Sequence, residues 1–249
     1  LPQTSNQTTA VILAASRGEE LGDLTKEKPK SMIETSGRPI LGRIIDAYNS
    51  SGIKSISVVT GYKSKRFNLP NVSYFENKKF KDTGEVYSLN QALQNIDKNQ
   101  DIIISYGDVL FKKYISLMLL ESKKDLTVIS DTNWEENFHT ERDSDFIACN
   151  LKHSRNSLGE EIELKEVNSK MKKNKINAEW MGLMKVSKNK RKDLEIAVED
   201  LLKRSNKKAN IPDLMNLLIE KNLKINVIYT SGHWIDIDSL DDLIKASYF

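Results

Sequence analysis

The chain reads as a mostly parallel α/β sheet with helices on both faces. Three observations predict this. Short apolar runs rich in β-branched residues alternate with stretches at helical spacing. The first run, Ala10–Ala14, gives way at once to the small residues Ala15, Ser16, Gly18 and Gly22, a strand opening into a loop. The 249 residues, 39% of them hydrophobic, suffice for one large α/β domain or two small ones.

The elements follow in order. Residues 1–9 are polar and uncharged and read as a linker or boundary ahead of a domain spanning 10–249. After the first strand and its loop, Pro39 can open a helix whose stripe is Ile40, Leu41, Ile44, Ile45 and Tyr48, closed by Gly52. Ser55–Thr60 and Val72–Phe75 read as strands. Val86, Leu89, Ala92, Leu93 and Ile96 form a second helical stripe. Asp101–Ser105 is an apolar strand ending at Tyr106-Gly107-Asp108. Phe111–Leu120 returns to helical spacing and Leu126–Ile129 to strand. Asp131 to Lys175 is polar and weakly periodic; it reads as strands with long connections forming a flap over a site. Ala178–Val186 is apolar again, Ile225–Tyr229 reads as a strand, and Leu194–Leu202 and Leu214–Leu223 read as helices. Ser239-Leu-Asp-Asp is a capping-box start to a last helix.

Composition narrows the function. Thirty-eight basic residues face thirty-five acidic ones, so the net charge of +3 carries no nucleic-acid footprint. The runs Lys170 to Lys175, Lys188 to Lys192 and Lys203 to Lys208 read as solvated faces. Cys149 is the single cysteine, which excludes an internal disulfide and a cysteine metal site. No apolar run approaches the roughly 20 residues that span a bilayer, and no secretion signal is visible; the expectation is a cytoplasmic protein without a membrane partner.

The chemistry concentrates at strand ends. In open α/β sheets ligands bind beyond the carboxyl ends of the strands, so the loop after Ala14 and the pair Gly107-Asp108 should converge. Backbone N–H groups of a small-residue loop cradle phosphate oxygens, and Lys26, Lys28 and Lys30 bring cations to it. Pro29 holds Lys30 on a stiff backbone. A polyanion, most simply a nucleoside triphosphate, fits these parts. Asp108 is placed for Mg²⁺, which prefers carboxylate oxygens. Asp236 and Asp238 alternate with Ile235 and Ile237, so in a strand they share a face; Asp238 can also serve only to start the last helix. His139, His153 and His233 have no metal-ligand spacing and read as structural or exposed. Ser16 has no candidate base nearby, which argues against a nucleophilic triad. Trp134 and Trp180, the latter beside Glu179, either meet a small cationic group or pack in the core.

These motifs resemble a family. Ala-Val-Ile-Leu-Ala-Ala-Ser-Arg-Gly from Ala10, Lys-Pro-Lys-Ser-Met from Lys28, Thr83-Gly84-Glu85, Ser105–Asp108 and Trp234–Asp242 together look like a nucleotidyltransferase. The pattern is most like the cytidylyltransferases that activate phosphocholine or phosphonates, in particular the domain fused behind phosphoenolpyruvate mutase. The resemblance implies a Rossmann-like three-layer fold with a mixed, mostly parallel sheet. It implies a Mg²⁺-dependent transfer of CMP from CTP to a small phosphonate, such as 2-aminoethylphosphonate or a hydroxyalkyl phosphonate, with loss of pyrophosphate. A preceding phosphoenolpyruvate mutase domain is the implied partner. Carried over by position, Leu13, Ala14, Ala15, Ser16, Arg17 and Gly18 wrap the nucleotide, with Lys26 and Gly107 nearby. Lys30 neutralises charge at the α-phosphate. Thr83, Gly84 and Ser88 line the base pocket. Asp108 and Asp238 hold the metal. Trp134, Glu179, Trp180 and Asp236 face the acceptor. The chain departs from the family at Ser16, usually glycine, and at Glu20, usually an arginine that binds the triphosphate; Arg17 or Lys26 would then take that arginine's place. Two other readings stay open: phosphocholine as acceptor, and a nucleotide-binding regulatory domain without catalysis.

Overall fold

The computed structural model describes residues 7–136, 144–157, 159–204 and 207–249. His139 and residues 1–6 of the expected linker lie outside them. β1 (Thr8–Ala14) begins two residues earlier than the apolar run suggests. Thr8 and Thr9 are buried, and the Thr9 hydroxyl donates to Gln100 Oε1 at 2.6 Å, so the domain already includes them. A 3-10 segment, Glu19–Thr25, and a 3-10 turn, Lys30–Met32, follow. The short strands β2 (Glu34–Thr35) and β3 (Arg38–Pro39) pair as a hairpin. Pro39 sits just ahead of α1 (Ile40–Ser50), whose apolar face is buried.

β4 (Ser55–Thr60) and β5 (Ser73–Glu76) lead to α2 (Glu85–Leu93), then β6 (Asp101–Tyr106) and β7 (Val109–Phe111). The helical spacing from Phe111 thus begins with a strand residue; α3 spans Lys113–Glu121. β8 (Leu126–Asp131), β9 (Phe146–Cys149), β10 (Leu164–Val167) and β11 (Ala178–Val186) come next. α4 (Arg191–Lys203), α5 (Ile211–Glu220), β12 (Asn226–Thr230), β13 (Trp234–Asp236) and α6 (Leu240–Tyr248) complete the chain. The expected capping box is present: Ser239 accepts from the Asp242 backbone N–H, and Asp242 accepts in return. No helix among the described residues is long and apolar enough to cross a membrane.

Among the described residues the main sheet has nine strands. β1 is central, parallel to β4 on one side and β6 on the other, and β5 extends the parallel part beyond β4. β11 runs antiparallel to β6, β8 and β9, and β12 joins β8 in parallel. The sheet is therefore mixed and mostly parallel around β1, as the sequence predicts. One apolar cluster packs α2, α4 and α5 on one face, and a second packs α1 and α3 on the other.

Within the segment from Asp131 to Lys175, of which residues 137–143 and 158 lie outside the described residues, the described strands belong to the sheet and not to a flap. β9 and β10 pair with each other and β9 with β11, so they widen the sheet. Trp134, Phe146, Met171 and Ile176 form a small core of their own. Its polar sequence reflects exposed connections, while alternate residues of short strands carry the packing.

Candidate active site

Two loops meet where β1 and β6 end. Gly107 N–H donates to Leu13 O at 2.9 Å. A Cβ on Gly107 would stand 2.7 Å from the Ala14 Cβ, so the close crossing requires glycine. The loop after β1 then turns through Gly18, whose φ of 79° lies in the left-handed region. A Cβ there would approach the Lys30 Cβ to 2.5 Å. Thr25 Oγ1 donates to Gly18 O at 2.9 Å, and Lys30 N–H donates to Arg17 O at 3.1 Å. Together these bonds lay the Lys30 stem along the loop and bury it.

Lys30 ends in a ring of carboxylates. Its Nζ lies 2.6 Å from Glu20 Oε1, 2.8 Å from Asp108 Oδ2 and 2.9 Å from Asp238 Oδ1. Burial by itself lowers an ammonium's affinity for its proton, but Asp108, Asp238 and Asp236 together outweigh it, and Lys30 is held well above the ordinary lysine range. Glu20, where the family pattern has an arginine, is thus part of the ring around Lys30.

Asp108 and Asp236 are brought together by a second small sheet. β13 pairs antiparallel with β7, setting Asp236 opposite Val109, and the Ile237 N–H donates to Asp108 O at 3.2 Å. Asp238 follows, immediately before Ser239, the N-cap of α6. Carboxylate oxygens of Asp108, Asp236 and Asp238 lie within 4.8 Å of one another. A set of hard, anionic oxygens this close fits a hard divalent cation such as Mg²⁺.

A cleft of about 490 Å³ opens beside them, lined by residues that include Leu13, Ala15, Ser16, Thr83, Gly84 and Ser88. Phe80, Glu85, Tyr106, Asp145 and Asn210 also line it; Glu85 and Tyr106 belong to motifs the sequence offered, but none of the five was given a role there. Glu85 follows the Thr-Gly motif and was the most findable. Asp145 lies in the weakly periodic middle and had no signal. The Glu85 carboxyl is pushed up by burial; the Ile211 N–H at 2.9 Å and the Tyr106 hydroxyl at 2.8 Å, both donating to Oε2, pull it back in part.

Other expected contacts stand apart. Arg17 lies over the Tyr62 ring, 5.7 Å from its centroid, and does not line the cleft. Lys26 is exposed and pairs with Asp23 at 2.8 Å. Trp180 is buried, edge-on to Tyr106 at 5.4 Å, and donates its Nε1 proton to Leu183 O. Glu179 is buried within β11, and Trp134 sits 6.0 Å from Phe146 in the small core. Of the four residues expected to face the acceptor, only Asp236 lines the cleft. Trp and Glu neighbours in a strand point to opposite faces of a sheet, and β11 is covered on both. His153 stands against Tyr229, and His233 Nδ1 is 2.9 Å from the Tyr114 hydroxyl; neither lines the cleft.

Known proteins share this framework. The CTP:phosphoglutamine cytidylyltransferase of Campylobacter jejuni is 29% identical over 94% of this chain and 97% of its own. The 2-aminoethylphosphonate cytidylyltransferase of Lancefieldella rimae is 28% identical over 45% of this chain, a match spanning 47% of that protein. The inositol-1-phosphate CTP transferase of T. maritima superposes with a TM-score of 0.76 over 96% of this chain and 91% of that one, at 16% identity, which shows a shared fold. Residues 10–140, which hold β1, its loop, Lys30 and Asp108, match the model of the MobA-like NTP transferase domain, and the chain belongs to that family of nucleotidyltransferases.

Proposed function

We propose that the chain is a Mg²⁺-dependent cytidylyltransferase that moves CMP from CTP to a small phosphonate and releases pyrophosphate. The observation that carries this reading is that Asp108, Asp236 and Asp238 meet on the cleft wall, with the buried Lys30 paired to Asp108 and Asp238. An oxygen of the acceptor attacks the α-phosphorus, a P–O bond forms, and the bond to the bridging oxygen breaks as pyrophosphate leaves. The acceptor is already ionised near neutral pH, so no general base is needed. Positioning and charge neutralisation provide the acceleration.

Asp108 and Asp238, with Asp236 beside them, would hold Mg²⁺, which when bound offsets charge on the phosphate oxygens. Lys30 keeps Asp108 and Asp238 at fixed positions and supplies a permanent positive charge next to them. The loop Leu13–Gly18 presents its backbone to the triphosphate. Thr83, Gly84 and Ser88 receive the base. Asp145 puts a further carboxyl group on the wall, which favours an acceptor bearing an ammonium group, such as 2-aminoethylphosphonate, over a hydroxyalkyl phosphonate. Arg17, at the edge of the loop, remains the candidate for the family's missing arginine.

Incubation with CTP, MgCl₂ and each of 2-aminoethylphosphonate, 2-hydroxyethylphosphonate and phosphocholine, with pyrophosphate release as the readout, tests this. Turnover with the aminophosphonate, lost in EDTA and in Asp238→Asn, is expected. Turnover confined to phosphocholine would replace the acceptor. CTP binding without turnover on any acceptor would leave a regulatory nucleotide-binding domain.

A further inference from the structure

The base pocket is held by a residue outside it. Asn77 is 1% exposed and lies just beyond β5. Its backbone N–H donates to Thr60 O at 2.7 Å, tying it to the end of β4. Its side-chain oxygen accepts from the Lys79 backbone N–H at 2.9 Å. A backbone N–H can only donate, so this bond decides which end of the amide is oxygen. The Nδ2 group must then face the other way. It donates one proton to Thr83 Oγ1 at 2.9 Å and the other to Ser88 Oγ at 3.0 Å.

Both hydroxyls therefore have to send their own protons elsewhere. Thr83 Oγ1 donates to Lys79 O at 2.8 Å, and Ser88 Oγ donates to Gly84 O at 3.3 Å. A hydroxyl oxygen has two lone pairs, and Asn77 takes one on each. The remaining lone pair on each is all that Thr83 and Ser88 can offer to the cleft they line. The pocket wall at these positions accepts hydrogen bonds and cannot donate them.

Given the cytidylyltransferase reading, on which this step rests, we infer that Asn77 is a positioning residue that makes the cleft choose cytosine over uracil. The 4-amino group of cytosine donates, and the 4-oxo group of uracil accepts. Two fixed acceptors satisfy the first and oppose the second. Rejection of the wrong partner comes from lone pairs that cannot turn away, because the Lys79 N–H fixes the Asn77 amide and Thr60 O fixes the Asn77 backbone.

The test needs no acceptor. Titration of the protein with CTP and with UTP in MgCl₂, followed by calorimetry, gives the ratio of the two affinities. The wild-type protein should favour CTP by about a hundredfold, about tenfold for each hydrogen bond. Asn77→Ala frees both hydroxyls to rotate and should cut the ratio about tenfold or more; Ser88→Ala and Thr83→Val should each cut it about tenfold. A merely structural role for Asn77 would weaken both nucleotides alike and leave the ratio unchanged. Ser88→Ala, a mild change within α2, keeps the test available if Asn77→Ala does not fold. A wild-type preference for CTP that survives in all foldable variants overturns the role of Asn77 and leaves the CTP reading standing. Wild-type binding of UTP as tight as that of CTP overturns both.

Discussion

Replacing Lys30 by methionine keeps the length of the buried stem and removes the charge at the centre of the carboxylate ring. At 2.8 Å and an effective dielectric constant of about 20, one ammonium–carboxylate pair has a gross attraction of about 6 kcal/mol. Desolvation of Lys30 cancels much of that, and removal of one partner from a buried pair costs about 3–5 kcal/mol. Glu20 and Asp238 keep 40% and 36% of their side chains exposed, so water recovers part of their solvation. The lower end of the range, about 3 kcal/mol, is therefore expected. For a chain of this length that corresponds to a fall in Tm of about 6–12 °C. Arg38 provides the internal control. It donates two hydrogen bonds of 2.7 Å to Asp46, but both side chains are about half exposed. Arg38→Met should therefore cost about 1 kcal/mol or less. Urea unfolding of the three proteins near neutral pH in EDTA checks both numbers. A Lys30→Met loss no larger than that of Arg38→Met would refute the claim that burial gives the ring its strength.

The same geometry yields three more expectations. Gly18→Ala forces a side chain into the left-handed region and toward the Lys30 stem, so it should destabilise by about 1–3 kcal/mol and lower pyrophosphate release about a hundredfold, measured on folded protein. Glu85 holds its proton more firmly when folded, because burial outweighs its two donors; its contribution to stability is full below the ordinary carboxyl range, about pH 4.3, and is lost as pH rises through the folded value. Glu85→Gln accepts the same two hydrogen bonds without that titration, so its stability relative to wild type should grow between about pH 4 and about pH 8; a constant difference in urea unfolding would contradict this. Arg17→Ala should raise the KM for CTP severalfold, and an unchanged KM would reject Arg17 as the stand-in for the missing arginine.

Much of this protein was legible without coordinates. Ser55–Thr60 folds with the bounds its pattern suggests, and the helix expected to open at Pro39 starts one residue later, at Ile40, and ends at Ser50, because each has a clear pattern and a glycine just beyond its end. Lys30, Asp108 and Asp238 stood out as candidates because a charged residue just past an apolar strand, or beside a proline, has little reason to be there for packing. Local pattern determines an element and its ends; it carries no information about which side of a covered strand is near a ligand. For that reason Trp180 and Glu179, notable in sequence, are packed inside the sheet, while Asp145 and Tyr106 reach the cleft. The pairing of β13 with β7 sets Asp236 beside Asp108, more than a hundred residues away in the chain. The lock on Asn77 likewise needs Thr60, Lys79, Thr83 and Ser88 at hydrogen-bond distance at once. Such contacts depend on chain crossings and on distances of a few ångströms, and only the folded molecule decides those.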